Sequence, residues 1–127
     1  MDPGHEPWFE HNHGTRFTSA DLADVSQWWK VLSASADTWL ASPPCPPWSR
    51  LGYGSHWADE RAWPLALLPC LAALGQPAFV LIEQVQEFVA ARGGQVAHQW
   101  ATLWQQAGYV LVPTSLSSQD FTPMRRQ

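Results

Sequence analysis

The sequence predicts an α/β fold, a mostly parallel, doubly wound sheet, in a single domain. Short apolar runs at 38–41, 79–82 and 109–112 alternate with longer stretches of helical period. The run Phe79-Val80-Leu81-Ile82 is continuously apolar, as in a parallel strand covered on both faces. Proline and glycine punctuate the connections, with Pro43, Pro44, Pro46 and Pro47 after one run, Gly93-Gly94 before a helix and Gly108 after it. At 127 residues, 46% hydrophobic and 14% charged, the chain has material for one core and one domain.

Each element follows from its local pattern. The opening residues are polar, unlike a signal peptide, and are read as a solvated arm. Residues 16–22 read as a short strand. Val25, Trp28, Trp29 and Leu32 then fall at i, i+3, i+4 and i+7, a helical face with Asp24 as its N-cap. Thr38-Trp39-Leu40-Ala41 forms a second strand, halted by the prolines. Residues 63–74, rich in Leu and Ala, predict a helix that Pro69 should kink, since an interior proline costs about 3 kcal/mol. The buried strand at 79–82 ends at Glu83. Val96, Trp100, Leu103 and Trp104 mark one face of the next helix, Gly108 stops it, and 109–112 reads as another strand. Strands alternating with helices imply right-handed crossovers and a ligand site beyond the carboxyl ends of the strands. Cys45 and Glu83 stand just past two such ends.

Charge and composition narrow the function classes. Seven Lys and Arg stand against eleven Asp and Glu, a net charge of -4, whereas a free-standing nucleic-acid binder presents a basic surface. No run of about 18 apolar residues marks a membrane span, so a soluble intracellular chain is expected. Two cysteines are too few for a disulfide scaffold or a complete zinc site, and reduced thiols are expected. Cys70, on the Leu/Ala helix, is assigned to the core. His5, His11 and His13 are read as solvated polar sequence and not a metal tract, so no metal is expected. Nine Trp imply either a ring-rich core or an aromatic interface. The pair Trp100 and Trp104, at i and i+4, is read as helix packing.

Two residues carry candidate chemistry. Cys45 lies in Ser42-Pro43-Pro44-Cys45-Pro46-Pro47-Trp48-Ser49, where prolines on both sides stiffen the loop and fix the thiol. Glu83 ends an apolar strand and puts a carboxylate at the same sheet edge, so a nucleophile and an acid converge on one substrate.

With these residues in view, the chain resembles the cytosine-5 methyltransferases, which act on DNA or, in one branch, on tRNA. Pro44-Cys45-Pro46-Pro47-Trp48-Ser49 is similar to that family's Pro-Cys-Gln-Pro-Phe-Ser nucleophile loop. Asp59-x-Arg61-x-x-x-Leu65 resembles its Asp-x-Arg-Gly-x-Leu segment, and Glu83-Gln84-Val85 its Glu-Asn-Val motif. Asn12-His13-Gly14 and Ala20-Asp21-Leu22 are similar to positions of the cofactor half. Gly108-Tyr109 and Phe121-Thr122-Pro123-Met124-Arg125-Arg126 match later segments in the same order.

The resemblance implies a Rossmann-like, S-adenosylmethionine-dependent fold that methylates carbon 5 of cytosine. It implies that Cys45 adds to carbon 6 while Glu83, kept protonated by burial against the base, donates to N3. The base must first leave the duplex, at a cost of a few kcal/mol. By the same resemblance Asp21, Leu22 and Leu65 meet S-adenosylmethionine, and Pro44, Ser49 and Arg126 meet the substrate. The expected partner is DNA, with tRNA as the alternative, in the nucleus of a eukaryote or the cytoplasm and nucleoid of a bacterium.

The departures shape the domain expectation. Gln84 stands for Asn, Pro46 for Gln, Trp48 for Phe and Met124 for Gln. No Phe-x-Gly-x-Gly loop precedes Asn12, and Gly52-x-Gly54 follows the nucleophile loop instead. The family's second motif arginine and its target-recognition region would fall beyond Gln127. Residues 1–127 are therefore expected to be a partial, central piece of the catalytic domain, and a catalytically inactive fragment or binding module stays an alternative.

Overall fold

A computed structural model describes residues 5–16, 18–49 and 55–116. Two strands, β1 (Thr38–Ala41) and β2 (Phe79–Ile82), fall where the apolar runs place them. They pair in parallel with Thr38 opposite Phe79 and Ala41 opposite Ile82. Between them runs α3 (Trp63–Gly75), so the connection is the strand-helix-strand crossover that a parallel pair requires.

The sheet is smaller and more open than the sequence predicts. Among the described residues it has two strands, and a doubly wound sheet is not formed. Residues 18–22 form no strand; Asp21 opens a turn instead, with its carboxylate accepting from the Ala23 N–H at 2.9 Å. Residues 109–112 keep a strand's alternation, Tyr109 and Leu111 half-buried and Val110 and Val112 exposed, but pair with no neighbouring strand. A strand exists through its ladder, and alternation alone does not supply one. The expected two-sided burial of β2 is also corrected. Trp39, Ala41, Val80 and Ile82 pack on the core, while Leu40, Phe79 and Leu81 are 77%, 71% and 67% exposed on the other face.

The helices supply the core on the covered face. A short α1 (His5–His13) forms where a solvated arm is expected. Asp24 caps as predicted, accepting from Ser26 N–H at 3.0 Å, but it caps a 3-10 turn (Val25–Gln27) that leads into α2 (Trp28–Leu32). That change of pitch leaves Val25 and Trp29 exposed, while the half-buried Trp28 indole donates to the Leu22 carbonyl at 2.9 Å. At the far end of α3 a Cβ on Gly75 would lie 2.6 Å from the Trp39 ring, so only glycine lets the helix end approach β1 this closely.

In α3 the buried residues are Leu65, Leu68, Pro69, Leu71 and Ala72, and Cys70 falls on the opposite side of the helix. Cys70 is therefore exposed, not in the core as the sequence predicts. Pro69 lies inside this helix, and its absent N–H leaves the carbonyl four residues earlier without its usual helical donor. That carbonyl belongs to Leu65, and the Trp100 indole N–H fills the place at 2.9 Å.

Trp100 belongs to α5 (Gln95–Gln106), which follows α4 (Gln86–Ala90) after a break carried by Gly93 and Gly94 at φ +65° and +89°. Val96, Trp100 and Trp104 form its buried face, and Leu103 stays at the edge. Trp48, Phe88, Trp100, Trp104 and Tyr109 form a column of edge-to-face rings, with centroids 4.9, 5.3, 5.6 and 5.4 Å apart in turn. Such pairs each contribute about 0.5–1.5 kcal/mol beyond their buried area. Three of the nine Trp are thereby core while Trp8, Trp29, Trp57 and Trp63 are exposed, and the Trp100/Trp104 pair packs as the sequence predicts.

Candidate active site

The site grows from the carboxyl ends of the two strands. The parallel register puts the residue after Ala41 beside the residue after Ile82, which are Ser42 and Glu83. The Glu83 N–H continues the ladder to the Ala41 carbonyl at 2.9 Å, and the Ser42 hydroxyl donates to Glu83 Oε2 at 2.8 Å. The Gln84 amide donates to the Pro43 carbonyl at 3.4 Å. The loop entrance and the Glu-Gln segment are thus tied together twice by side chains.

The far side of the loop is anchored by packing. The N–H groups of Trp48 and Ser49 both donate to the Cys45 carbonyl at 3.0 Å, closing a turn directly after the thiol. Pro47 and Trp48 are buried, and Trp48 meets Trp57 and Phe88 edge-on and stacks on His56. The His56 N–H donates to the Pro47 carbonyl at 3.2 Å. Cys45 and Pro44 remain exposed at the top of this braced turn, and Glu83 is exposed beside its entrance. The structure therefore brings the entrance of the Cys45 loop and Glu83 to one sheet edge. Ser49 is half-buried, with its hydroxyl 3.5 Å from the Pro46 carbonyl of its own loop.

Asp59 and Arg61 form a clamp just before α3. The Asp59 carboxylate caps the turn Glu60–Ala62 through the Arg61 N–H and holds the guanidinium at 2.9 and 2.7 Å. Hydrogen bonds from Arg61 pull the Asp59 carboxyl down to about 2, and the same contact raises Arg61 above its ordinary value.

Asp21 is exposed in its turn, its carboxylate occupied by Ala23 N–H and its own N–H donating to Gln27 Oε1. Leu22 is half-buried beside Trp28, and Leu65, at 0% exposure, has no surface to offer a ligand. Arg126 and the segment around it lie outside the described residues, as do Gly52 and Gly54. Among the described residues no three His, Cys, Asp or Glu side chains gather as a metal group, and no helix is long and apolar enough to cross a membrane.

The sequence reading missed Ser42, the residue that touches the candidate acid. The signal lay in the strand register, because pairing 38–41 with 79–82 sets position 42 beside position 83. It also missed Trp48 as an anchor, because a Trp in place of Phe reads as a substitution until its ring contacts are seen.

No curated protein matches the chain significantly. Residues 2–127 match the family model for C-5 cytosine-specific DNA methylases, nearly the whole length, and the chain belongs to that family.

Proposed function

We propose that this chain carries the catalytic loop and acid of DNA cytosine-5 methylation, with Cys45 as nucleophile and Glu83 as proton donor. The observation that supports it is the sheet edge itself, where Ser42 holds the Glu83 carboxylate and leads, three residues later, to an exposed thiol on a braced turn. Carbon 6 of cytosine is a weak electrophile, so addition of the Cys45 thiolate needs a proton at N3 to absorb the charge pushed into the ring. Glu83 supplies that proton, and Ser42 positions the carboxyl. Methylation at carbon 5, loss of the carbon 5 proton to water, expulsion of Cys45 as thiolate and return of the N3 proton to Glu83 restore the aromatic ring and the acid. S-adenosylmethionine, the donor that family membership implies, supplies an electrophilic methyl group when bound. By the resemblance Asp21, Leu22 and Leu65 would hold it; in this structure Asp21 is exposed in its turn and Leu65 is fully buried.

Trapping tests the proposal. In a duplex carrying 5-fluorocytosine, fluorine replaces the proton that must leave, so the thioether to the enzyme persists once the methyl group has been transferred. With S-adenosylmethionine present, the chain should form an adduct at Cys45, located by peptide mass, and Cys45→Ser should form none. An adduct that survives Cys45→Ser, or no adduct at all, overturns the mechanism. Methyl transfer to tRNA but not to duplex DNA overturns the substrate.

A further inference from the structure

A second site lies away from Cys45 and Glu83. The turns His56–Ala58 and Glu60–Ala62, the start of α3 and the middle of α5 enclose a cleft of about 680 Å³ that opens to solvent. Trp57, Trp63, Trp100 and Leu103 line it, with Trp57 and Trp63 36% and 39% exposed and Trp100 contributing only its 6% of open surface, and its only charged residues among those described are Asp59 and Glu60. Two of the rings are fixed in place. Trp57 meets Trp48 edge-on, and Trp100 is held by Phe88, Trp104 and the Leu65 carbonyl. Trp63 makes no ring contact with another aromatic residue among those described and is 39% exposed.

We infer that this cleft seats a methylated ammonium group. Indole faces carry negative potential and attract a cation, most strongly one that sheds water easily. A methylated ammonium does so, and its methyl shell packs on the rings and Leu103 as an apolar ligand would. An anion is disfavoured by the single surplus negative charge that Asp59, Glu60 and Arg61 leave here, and a hydrated metal ion would need more oxygen ligands than two acids provide. The Asp59 charge is already matched by Arg61, so Glu60 carries the charge left to meet a cation. Two sources present this group, a free quaternary amine and a trimethylated lysine side chain.

Choline and its neutral isostere 3,3-dimethylbutan-1-ol separate cation recognition from apolar filling. With the full 127-residue chain, choline should shift the indole N–H resonances of Trp57 and Trp63 saturably and bind at least about fivefold more tightly than the isostere. Glu60→Gln should weaken choline by roughly two- to fivefold and leave the isostere unchanged. Trp63→Ala, shown to be folded by retaining the dispersed indole N–H resonances of buried Trp100 and Trp104, should abolish both. A peptide bearing trimethyl-lysine that binds more tightly than choline and than its unmethylated form assigns the site to a side chain; no gain over choline assigns it to a free amine. Equal binding of choline and isostere, no saturable shift, or an undiminished shift in Trp63→Ala overturns the inference. Trapping at Cys45 is independent of every one of these outcomes.

Discussion

The hydroxyl of Ser42 makes one hydrogen bond to Glu83, and both residues are exposed. Removing it costs the fold little, because surface substitutions usually stay within about 0.5 kcal/mol. It should cost the reaction more, because the bond orients the proton donor, and a positioned general acid contributes on the order of 10²–10⁴-fold to a rate. Ser42→Ala is expected to slow adduct formation with 5-fluorocytosine DNA by at least about tenfold at unchanged melting temperature, with Ser42→Thr restoring most of the rate. Asp59 yields a pH prediction. Its folded value of about 2 lies below the ordinary 3.8, so the clamp with Arg61 stabilises the fold at neutral pH and is lost as pH falls from about 4 through 2. The stability gap between wild type and Asp59→Asn should be constant from pH 8 to 5 and closed near pH 2, with the Asp59 carboxyl resonance titrating near 2. The sheet-edge placement of Glu83 and of the loop that carries Cys45 was legible in the sequence, since both follow apolar runs that end at polar residues. Ser42 and the Asp59 clamp were not, because a hydroxyl and an Asp-x-Arg are common on surfaces and gain meaning only from register and rotamer.

At the scale of elements, Pro69 and Trp100 act together. The proline removes the N–H that would bond the Leu65 carbonyl, and the Trp100 indole fills the place, locking α5 onto α3. Trp100→Phe should leave a buried carbonyl unpaired and destabilise by about 1–3 kcal/mol, beyond any loss of packing. In a Pro69→Ala background the helix provides its own donor, so part of that penalty should vanish. A double-mutant cycle by chemical denaturation measures the difference, and purely additive losses would refute the coupling. The strands β1 and β2, Asp24 as a cap and the glycine break before α5 were legible because each is set locally, by an apolar run, a carboxylate or a residue tolerant of positive φ. The segments at 16–22 and 109–112 were misread because their apolar residues state only which side faces the core. Whether a partner strand lies beside them is a tertiary fact. Cys70 was misplaced for a related reason, since a helix rich in Leu and Ala on all sides conceals which stripe is buried.

For the whole molecule, the unequal faces of the sheet matter most. Parallel sheets are ordinarily covered on both sides, and contiguous exposed apolar surface drives association. Here Trp39, Ala41, Val80 and Ile82 meet the core, while Leu40, Phe79 and Leu81 face outward. A net charge of -4 keeps molecules apart only in part, because the charge lies elsewhere than on this face. The double substitution Leu40→Thr and Leu81→Thr introduces β-branched residues suited to strands and removes apolar area from the outer face alone. If that face is open to water, stability should change by no more than about 0.5 kcal/mol per site. Sedimentation velocity should then show concentration-dependent association of the wild type that the double variant reduces severalfold. If the face is covered in solution, each Leu contributes about 1.5–3 kcal/mol through burial, and the same pair of substitutions should lower stability by several kcal/mol. Denaturation of the two proteins at low concentration, where association is absent, separates these outcomes, and the exposures in this structure require the first.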